Sequence, residues 1–110
     1  MNINGDVVAV IPARGGSKGL PRKNLRELGG VSLVGLAGDT ARAVPLLDRA
    51  VVSTDDDEIA REAEGHGLEA PFRRPAELSG DRIGDVDVLV HALQATEEDD
   101  GTRYDVVVML

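Results

Sequence analysis

The sequence contains no cysteine and no tryptophan, and only one phenylalanine and one tyrosine among its 110 residues. The absence of cysteine excludes a disulfide framework, a thiolate metal site and a cysteine nucleophile, and it fits a cytoplasmic protein. No apolar run approaches the ~20 residues of a membrane helix, and the N-terminus lacks the basic and then apolar layout of a signal peptide. We therefore expect residues 1–110 to form one soluble domain, or part of one, without a membrane partner.

Positive charge is also scarce, because 12 Lys and Arg stand against 20 Asp and Glu for a net charge of −8. Nucleic-acid binding needs Lys and Arg over a broad face, and we therefore expect no nucleic-acid partner. The few cations are concentrated, since five of the twelve lie from Arg14 to Arg26 with no acidic residue among them. Such an island in an acidic chain indicates a site for a small anion, although a solvated basic loop is an equally open interpretation.

Short apolar runs and helical spacings alternate along the chain in the order β-α-β-α-β-α-β. The predicted strands cover residues 6–11, 50–54, weakly 68–73, and 104–110. This order predicts a Rossmann-like, three-layer α/β/α fold with a mostly parallel sheet and right-handed crossovers. Sheets of this kind bind ligands just beyond the carboxyl ends of their strands.

The predicted helices follow the same reasoning. The first runs from Leu33 towards Pro45, although Gly35 and Gly38 inside it each cost about 1 kcal/mol relative to Ala. The third is predicted from the spacing i, i+3, i+4 and i+7 of four apolar residues, which are Val86, Leu89, Val90 and Leu93. The acidic stretch 97–101 after it is predicted to be a solvated turn.

Several polar residues receive a structural interpretation. Asp55, Asp56 and Asp57 are read as the start of the second helix, where acids complement its positive end, and we assign no metal to them. His66 is expected at a helix end and His91 in a structural position, because neither has a neighbour at the spacing of metal ligands.

The stretch after the first strand is rich in glycine and cations. It reads Ala13-Arg14-Gly15-Gly16-Ser17-Lys18-Gly19-Leu20-Pro21-Arg22-Lys23-Asn24. Three glycines within five residues allow backbone N–H groups to turn towards an anion, and the basic side chains would add charge-assisted hydrogen bonds. The spacing matches neither a Walker loop nor a dinucleotide fingerprint. We predict a triphosphate or pyrophosphate site at the carboxyl end of the first strand.

The segment from Ile11 to Asn24 resembles the N-terminal signature of the cytidylyltransferases that activate sialic acids and related nonulosonic acids, the CMP-sialic acid synthetases. Three further matches follow in order, namely Val52-Ser53-Thr54-Asp55, Arg74-Pro75-Ala76-Glu77-Leu78 and His91-Ala92-Leu93. The synthetases for 3-deoxy-manno-octulosonate share the opening strand and loop but usually lack the form of residues 19–24, and they are the second choice of relative.

The resemblance implies a nucleotidyl transfer in which the anomeric hydroxyl of the sugar acid attacks the α-phosphate of CTP. Pyrophosphate then leaves with the assistance of Mg²⁺. Such a transfer depends mainly on alignment of the groups and on balance of phosphate charge, and we expect Lys23, Arg14 and Lys18 to be catalytic. The implied nucleotide-binding residues are Ala13, Arg14, Gly15, Gly16, Ser17, Lys18, Lys23, Asn24, Arg74 and Asp85.

Members of this family are considerably longer than 110 residues. The resemblance therefore implies a single cytidylyltransferase domain truncated after its fourth strand, with the Mg²⁺ ligands, the sugar-acid pocket and the homodimer extension beyond Leu110. Three alternatives stay open: a fragment that binds CTP or pyrophosphate without turnover, an inert fragment, and a synthetase for a related sugar acid such as 3-deoxy-manno-octulosonate.

Overall fold

Strands and helices alternate along the chain, as its hydrophobic pattern predicts. The computed structural model describes residues 6–15, 25, 27–28, 30–80 and 84–110. The strands are β1 (Val7–Pro12), β2 (Glu27–Leu28), β3 (Val31–Ser32), β4 (Arg49–Ser53) and β5 (Val106–Met109). The helices are α1 (Leu33–Arg42), α2 (Asp57–Gly65) and α3 (Asp85–Asp100), and Ala76–Leu78 form one turn of 3₁₀ helix. Within these ranges, every helix is too short or too polar to cross a membrane.

A parallel sheet in the order β4-β1-β5 forms the centre of the fold. Its middle strand, β1, is buried from Val7 to Ile11, which explains why this segment is continuously apolar rather than alternating. Pro12 is the last residue of the strand and lies opposite Ser53.

Helices cover both faces of the sheet and confirm the three-layer α/β/α prediction. Alternate residues of β1 point to opposite faces, so that Ala9 and Ile11 enter one core and Val8 and Val10 the other. The first core is completed by buried residues of α1, α2 and their neighbours, which include Val34, Ala41, Val52, Ile59, Ala63 and Leu68. On the second face, Ala92 of α3 packs against the sheet.

One predicted strand is corrected and one short strand pair is added. The segment 68–73 forms a single parallel bridge between Glu69 and Val51 rather than a strand, because Pro71 has no N–H with which to continue the ladder. A short antiparallel pair of β2 and β3, which the sequence did not predict, closes around a turn in which Gly30 has a φ of 89°. Among the described residues the main sheet thus has three strands instead of four.

Helix α3 is longer than predicted and turns a different face to the sheet. It continues through the stretch predicted as a solvated turn, to Asp100, and ends at Gly101 in the left-handed conformation. Val86 and Val90 of the predicted apolar stripe are exposed. The residues turned towards the sheet are Val88, Ala92 and Thr96, flanked by Leu89 and Leu93. Small side chains on this face allow the helix to approach the sheet closely.

Close packing of α1 against the end of α2 accounts for the two glycines inside α1. A Cβ at Gly35 would lie 2.7 Å from Nε2 of His66, and a Cβ at Gly38 would lie 2.9 Å from the His66 carbonyl oxygen. His66 follows α2 as its C-cap, as predicted for a helix end, and its Nδ1 lies 3.1 Å from Asp39 Oδ1. Ser32 caps α1 and donates its hydroxyl to Glu62 of α2 at 2.6 Å.

Gly38→Ala is expected to lower the free energy of unfolding by about 1–3 kcal/mol, because the added methyl group would meet a backbone oxygen that cannot rotate away. Urea denaturation measures the change. Gly65→Ala in α2 is the matched control, since a Cβ there meets nothing within 4 Å. We expect the control to be neutral or stabilising by up to about 1 kcal/mol. Similar losses in both variants would contradict close packing as the cause.

An ion cluster joins β4 to the end of α3 at the amino edge of the sheet. The guanidinium of Arg49 contacts Glu69 at 2.9 Å, Asp99 at 2.8 Å and Asp100 at 2.7 Å. Tyr104 donates its hydroxyl to Asp100. This hydrogen bond is the main cause that lowers the pKa of Asp100, and the Thr102 N–H and Arg49 act in the same direction.

Tyr104→Phe is expected to reduce the acid sensitivity of folding. A carboxyl group whose pKa is lowered in the folded state stabilises the fold above its ordinary pKa, about pH 4, and this contribution is lost as the pH falls through the folded value. Without the Tyr104 hydroxyl the variant should be less stable at neutral pH and converge with the wild-type chain in acid. Urea denaturation at several pH values between 7 and 2.5 measures both effects. Parallel stability curves would contradict the assignment.

Candidate functional site

The carboxyl ends of β1 and β4 meet at one edge of the sheet, where the glycine-rich segment begins. The pairing of the two strands continues beyond their last residues. The buried Ala13 donates its N–H to the Ser53 carbonyl at 2.9 Å. Two residues later, Gly15 donates its N–H to Oδ1 of Asp55 at 2.8 Å. The start of the loop is thus held against the segment that follows β4.

Gly15 also packs closely against Asp56. A Cβ at position 15 would lie 2.8 Å from Asp56 Oδ2, so that only glycine fits without a shift. Asp56 is itself fixed as the N-cap of α2, because its Oδ1 accepts hydrogen bonds from the N–H groups of Glu58 at 2.8 Å and Ile59 at 3.0 Å. The first turn of α2 therefore forms a rigid support for this end of the loop.

Arg74 lies under the same edge with only 6% of its surface exposed. Its Nε donates to the Ser53 hydroxyl at 3.0 Å and its Nη2 to the Ser53 carbonyl at 2.9 Å. Nη1 reaches the carbonyl of Leu78 at 3.4 Å, and the backbone N–H of Arg74 donates to Thr54 at 2.7 Å. This side chain therefore ties the polar segment after residue 74 to the end of β4.

Two arginines and one aspartate shape the electrostatics of the edge. Burial is the main cause that lowers the pKa of Arg74. The Asp55 carboxylate opposes this shift, and the Arg14 cation adds to it. Arg14 also donates from Nη1 to the Ser79 carbonyl at 3.5 Å. Both guanidinium groups stay charged, because arginine does not lose its proton in proteins, and they make this edge attractive to an anion.

Four of the residues assigned to the nucleotide from the sequence come together here, namely Ala13, Arg14, Gly15 and Arg74. Asp85 is the exposed first residue of α3, where its charge complements the positive end of that helix. The other assigned residues, Gly16, Ser17, Lys18, Lys23 and Asn24, lie outside the described residues.

The described residues do not offer a Mg²⁺ site. No group of three or more His, Asp or Glu side chains in residues 6–15, 30–80 and 84–110 is arranged to hold a metal ion. The three consecutive aspartates have other partners: Asp55 accepts the Gly15 N–H, Asp56 caps α2, and Asp57 pairs with Arg73 at 2.8 Å. The interpretation as a helix start agrees with Asp56 and Asp57, whereas Asp55 precedes the cap.

His91 lies on α3 with its ring edge-on to Phe72, at 5.2 Å between ring centroids. Its Nδ1 is buried and has no hydrogen-bond partner among the described residues. The aromatic contact agrees with the structural interpretation of this histidine.

Sequence reasoning missed the role of Asp55 and of Ser53. From the sequence, Asp55 is expected at a helix start and belongs to the matched segment Val52-Ser53-Thr54-Asp55, but its hydrogen bond from the Gly15 N–H is not predicted. The available signal was position, because a polar residue directly after a buried parallel strand lies at the ligand-binding edge. The pairing of β1 with β4, which brings Asp55 beside Gly15, is not readable from local pattern.

The fold is Rossmann-like with a cationic edge, and comparison with known proteins makes the class specific. The model of a family described as cytidylyltransferase matches residues 8–104. The chain belongs to this cytidylyltransferase family.

Several relatives are named as cytidylyltransferases or as CMP-sugar-acid synthases. The chain is 35% identical over 105 residues to the CMP-N,N'-diacetyllegionaminic acid synthase of Campylobacter jejuni, with 96% of this chain and 45% of that protein covered. It is 38% identical over 87 residues to a pseudaminic acid cytidylyltransferase of the same species, covering 79% and 38%. An N-acylneuraminate cytidylyltransferase of Oncorhynchus mykiss is 40% identical over 83 residues, covering 76% and 19%.

A solved structure shares the fold. The CMP:2-keto-3-deoxy-manno-octonic acid synthetase, in complex with CTP, superposes with a TM-score of 0.75 at 26% identity, over 96% of this chain and 39% of that one. The Rossmann-like prediction is confirmed. The chain spans less than half the length of each of these relatives.

Arg74→Met is expected to lower the free energy of unfolding by about 2–3 kcal/mol, because it removes buried, charge-assisted hydrogen bonds to Ser53 and Leu78. Arg74→Lys should retain only part of the stability that Arg74→Met loses, since an ammonium group cannot reproduce the forked contacts of a guanidinium group. The neighbouring Arg73→Met is the control, because Arg73 forms an exposed pair that is worth at most about 1 kcal/mol. Denaturation that ranks Arg73→Met as the more damaging change would contradict this assignment.

Proposed function

We propose that this chain carries the CTP-binding part of an enzyme that transfers CMP from CTP to the anomeric hydroxyl of a sialic-acid-like nonulosonic acid. The observation that carries the proposal is the position of Arg14, Gly15 and Arg74 at one edge of the sheet in a chain of this family. The relatives named for legionaminic, pseudaminic and N-acylneuraminic acids support the class of acceptor. A related synthetase for 3-deoxy-manno-octulosonate is the alternative within the class.

The transfer forms a bond between the acceptor oxygen and the α-phosphorus of CTP. The bond from that phosphorus to the β-phosphate breaks, pyrophosphate leaves, and the hydroxyl proton is lost to solvent or a base. In our assignment Arg14 and Lys18 balance the charge of the triphosphate, and Lys23 steadies the α-phosphate or the leaving group. The backbone of Gly15, Gly16 and Ser17, with the Ser17 hydroxyl, would hold phosphate oxygens.

The cytidine end of the nucleotide is assigned to Asn24, Arg74 and Asp85. Arg74 supports this role by fixing the segment that follows it beside the end of β4. The burial of its guanidinium indicates that it acts mainly by shaping the pocket.

Mg²⁺, a homodimer and a cytoplasmic location belong to the proposal for the enzyme as a whole. Among the described residues, no cluster of three or more His, Asp or Glu side chains is arranged to hold Mg²⁺.

A second candidate is a domain that binds CTP or pyrophosphate without turnover. It is favoured by the cationic edge of the sheet, because the Arg14 and Arg74 guanidinium groups would attract phosphate whether or not transfer follows. The two candidates share the phosphate loop and differ only in whether pyrophosphate is released.

CTP is expected to raise the unfolding temperature of the chain, because a ligand that binds only the folded state stabilises it, by about 2.7 kcal/mol at 100 times its Kd. Lys18→Ala should weaken CTP binding about tenfold or more through the loss of a charge-assisted hydrogen bond. Arg103→Ala is the control, since this exposed cation lies just before β5, at the amino edge of the sheet. Thermal unfolding with CTP, UTP and pyrophosphate measures the effect.

No stabilisation by CTP in the wild-type chain would contradict both candidates. An equal loss of CTP affinity in the Lys18→Ala and Arg103→Ala variants would contradict the assignment of Lys18. A pyrophosphate-release assay with CTP and a nonulosonic acid then separates the candidates. Release that requires both substrates supports the transferase. Stabilisation by CTP without release supports the domain that only binds.

A further inference from the structure

We propose that Asp55 is a positioning residue for the triphosphate: it anchors the phosphate loop through the Gly15 N–H, so that the loop leaves the sheet at a fixed point. This inference rests on the proposed function, because it concerns the same site. It also reassigns Gly15, from a donor to phosphate to the fixed end of the loop.

The hydrogen bond continues the ladder between β1 and β4. Alternate N–H groups of a parallel strand donate to the same neighbour. Ala13 donates to the Ser53 carbonyl, and the next donor on that side is Gly15. At this point the acceptor is the side chain of Asp55 instead of a backbone carbonyl. The Asp55 carboxylate thus adds one charge-assisted hydrogen bond to the β1–β4 ladder beyond the last residue of β4.

Gly15 is held on a second side by Asp56. The approach is close enough that a Cβ at position 15 would lie 3.0 Å from Asp56 Cβ as well as 2.8 Å from its Oδ2. Asp56 cannot yield easily, because it caps α2 through two hydrogen bonds. These contacts indicate that Gly15 stays bound to Asp55 when phosphate binds. Displacement of Gly15 would break its packing against Asp56 as well as the hydrogen bond.

The anchor has a consequence for charge. While Asp55 holds the Gly15 N–H, that N–H is engaged and is not available to the triphosphate. The Asp55 carboxylate also acts on the Arg74 guanidinium, whose other charged neighbour is Arg14. Asp55 thereby partly offsets the repulsion between these two arginines.

Hydrogen exchange of the Gly15 amide, followed by NMR, tests the anchor without nucleotide. Asp55→Ala removes the acceptor, and Asp55→Asn keeps a carbonyl oxygen in its place. We expect exchange to accelerate about tenfold or more in Asp55→Ala and to change less than about threefold in Asp55→Asn. Asp57→Asn is the control for loss of charge, because Asp57 is 75% exposed and contacts Arg73. Unchanged exchange in Asp55→Ala would overturn the proposal.

CTP titration of the same variants tests the positioning role. We expect Asp55→Ala to weaken CTP binding about tenfold, with rescue by Asp55→Asn to within about threefold of wild type. Tighter binding by Asp55→Asn, together with a large shift of the Gly15 amide on CTP addition, would show a displaceable gate and overturn the anchor. If no variant binds CTP, the proposed function fails and the role towards nucleotide fails with it, whereas the exchange experiment still decides whether Asp55 holds Gly15.

Discussion

The parallel pairing of β1 with β4 is the constraint on which the rest of the structure depends. Its register places Pro12 opposite Ser53 and brings two segments distant in sequence to one edge. Because the chain leaves both strands at this edge, the loop after β1, the cap of α2 and Arg74 all meet there. A change of register by one residue would turn every core side chain of β1 to the wrong face, and it would separate Gly15 from Asp55.

Much of the fold could be predicted from sequence because its elements are encoded locally. The buried run of β1, the cap and acids of α2 and the order of strands and helices all follow from short patterns. The face of α3 could not be predicted, because two overlapping sets of apolar residues have helical spacing. Contact with the sheet selects the set with the smaller side chains and leaves Val86 and Val90 exposed. The need for glycine at positions 35 and 38 of α1 likewise follows only from contact with His66, the C-cap of α2.

The sequence predicts the position of the candidate site better than it predicts the contacts between the residues of that site. Charge clustering and the position after a buried strand indicate the edge and name Arg14 and Gly15. They do not indicate that Gly15 donates to Asp55, or that Arg74 is buried against Ser53, because those partners are 40 and 21 residues away in sequence. Only the register of the sheet supplies them.

The position of β1 also affects how the chain acquires its fold. β1 lies at the start of the sequence but in the middle of the sheet, and its two partners begin at residues 49 and 106. Such long-range pairing slows folding. During synthesis on the ribosome, one edge of this buried strand can pair once β4 has emerged, whereas the edge that receives β5 stays open until residues 106–109 have been made.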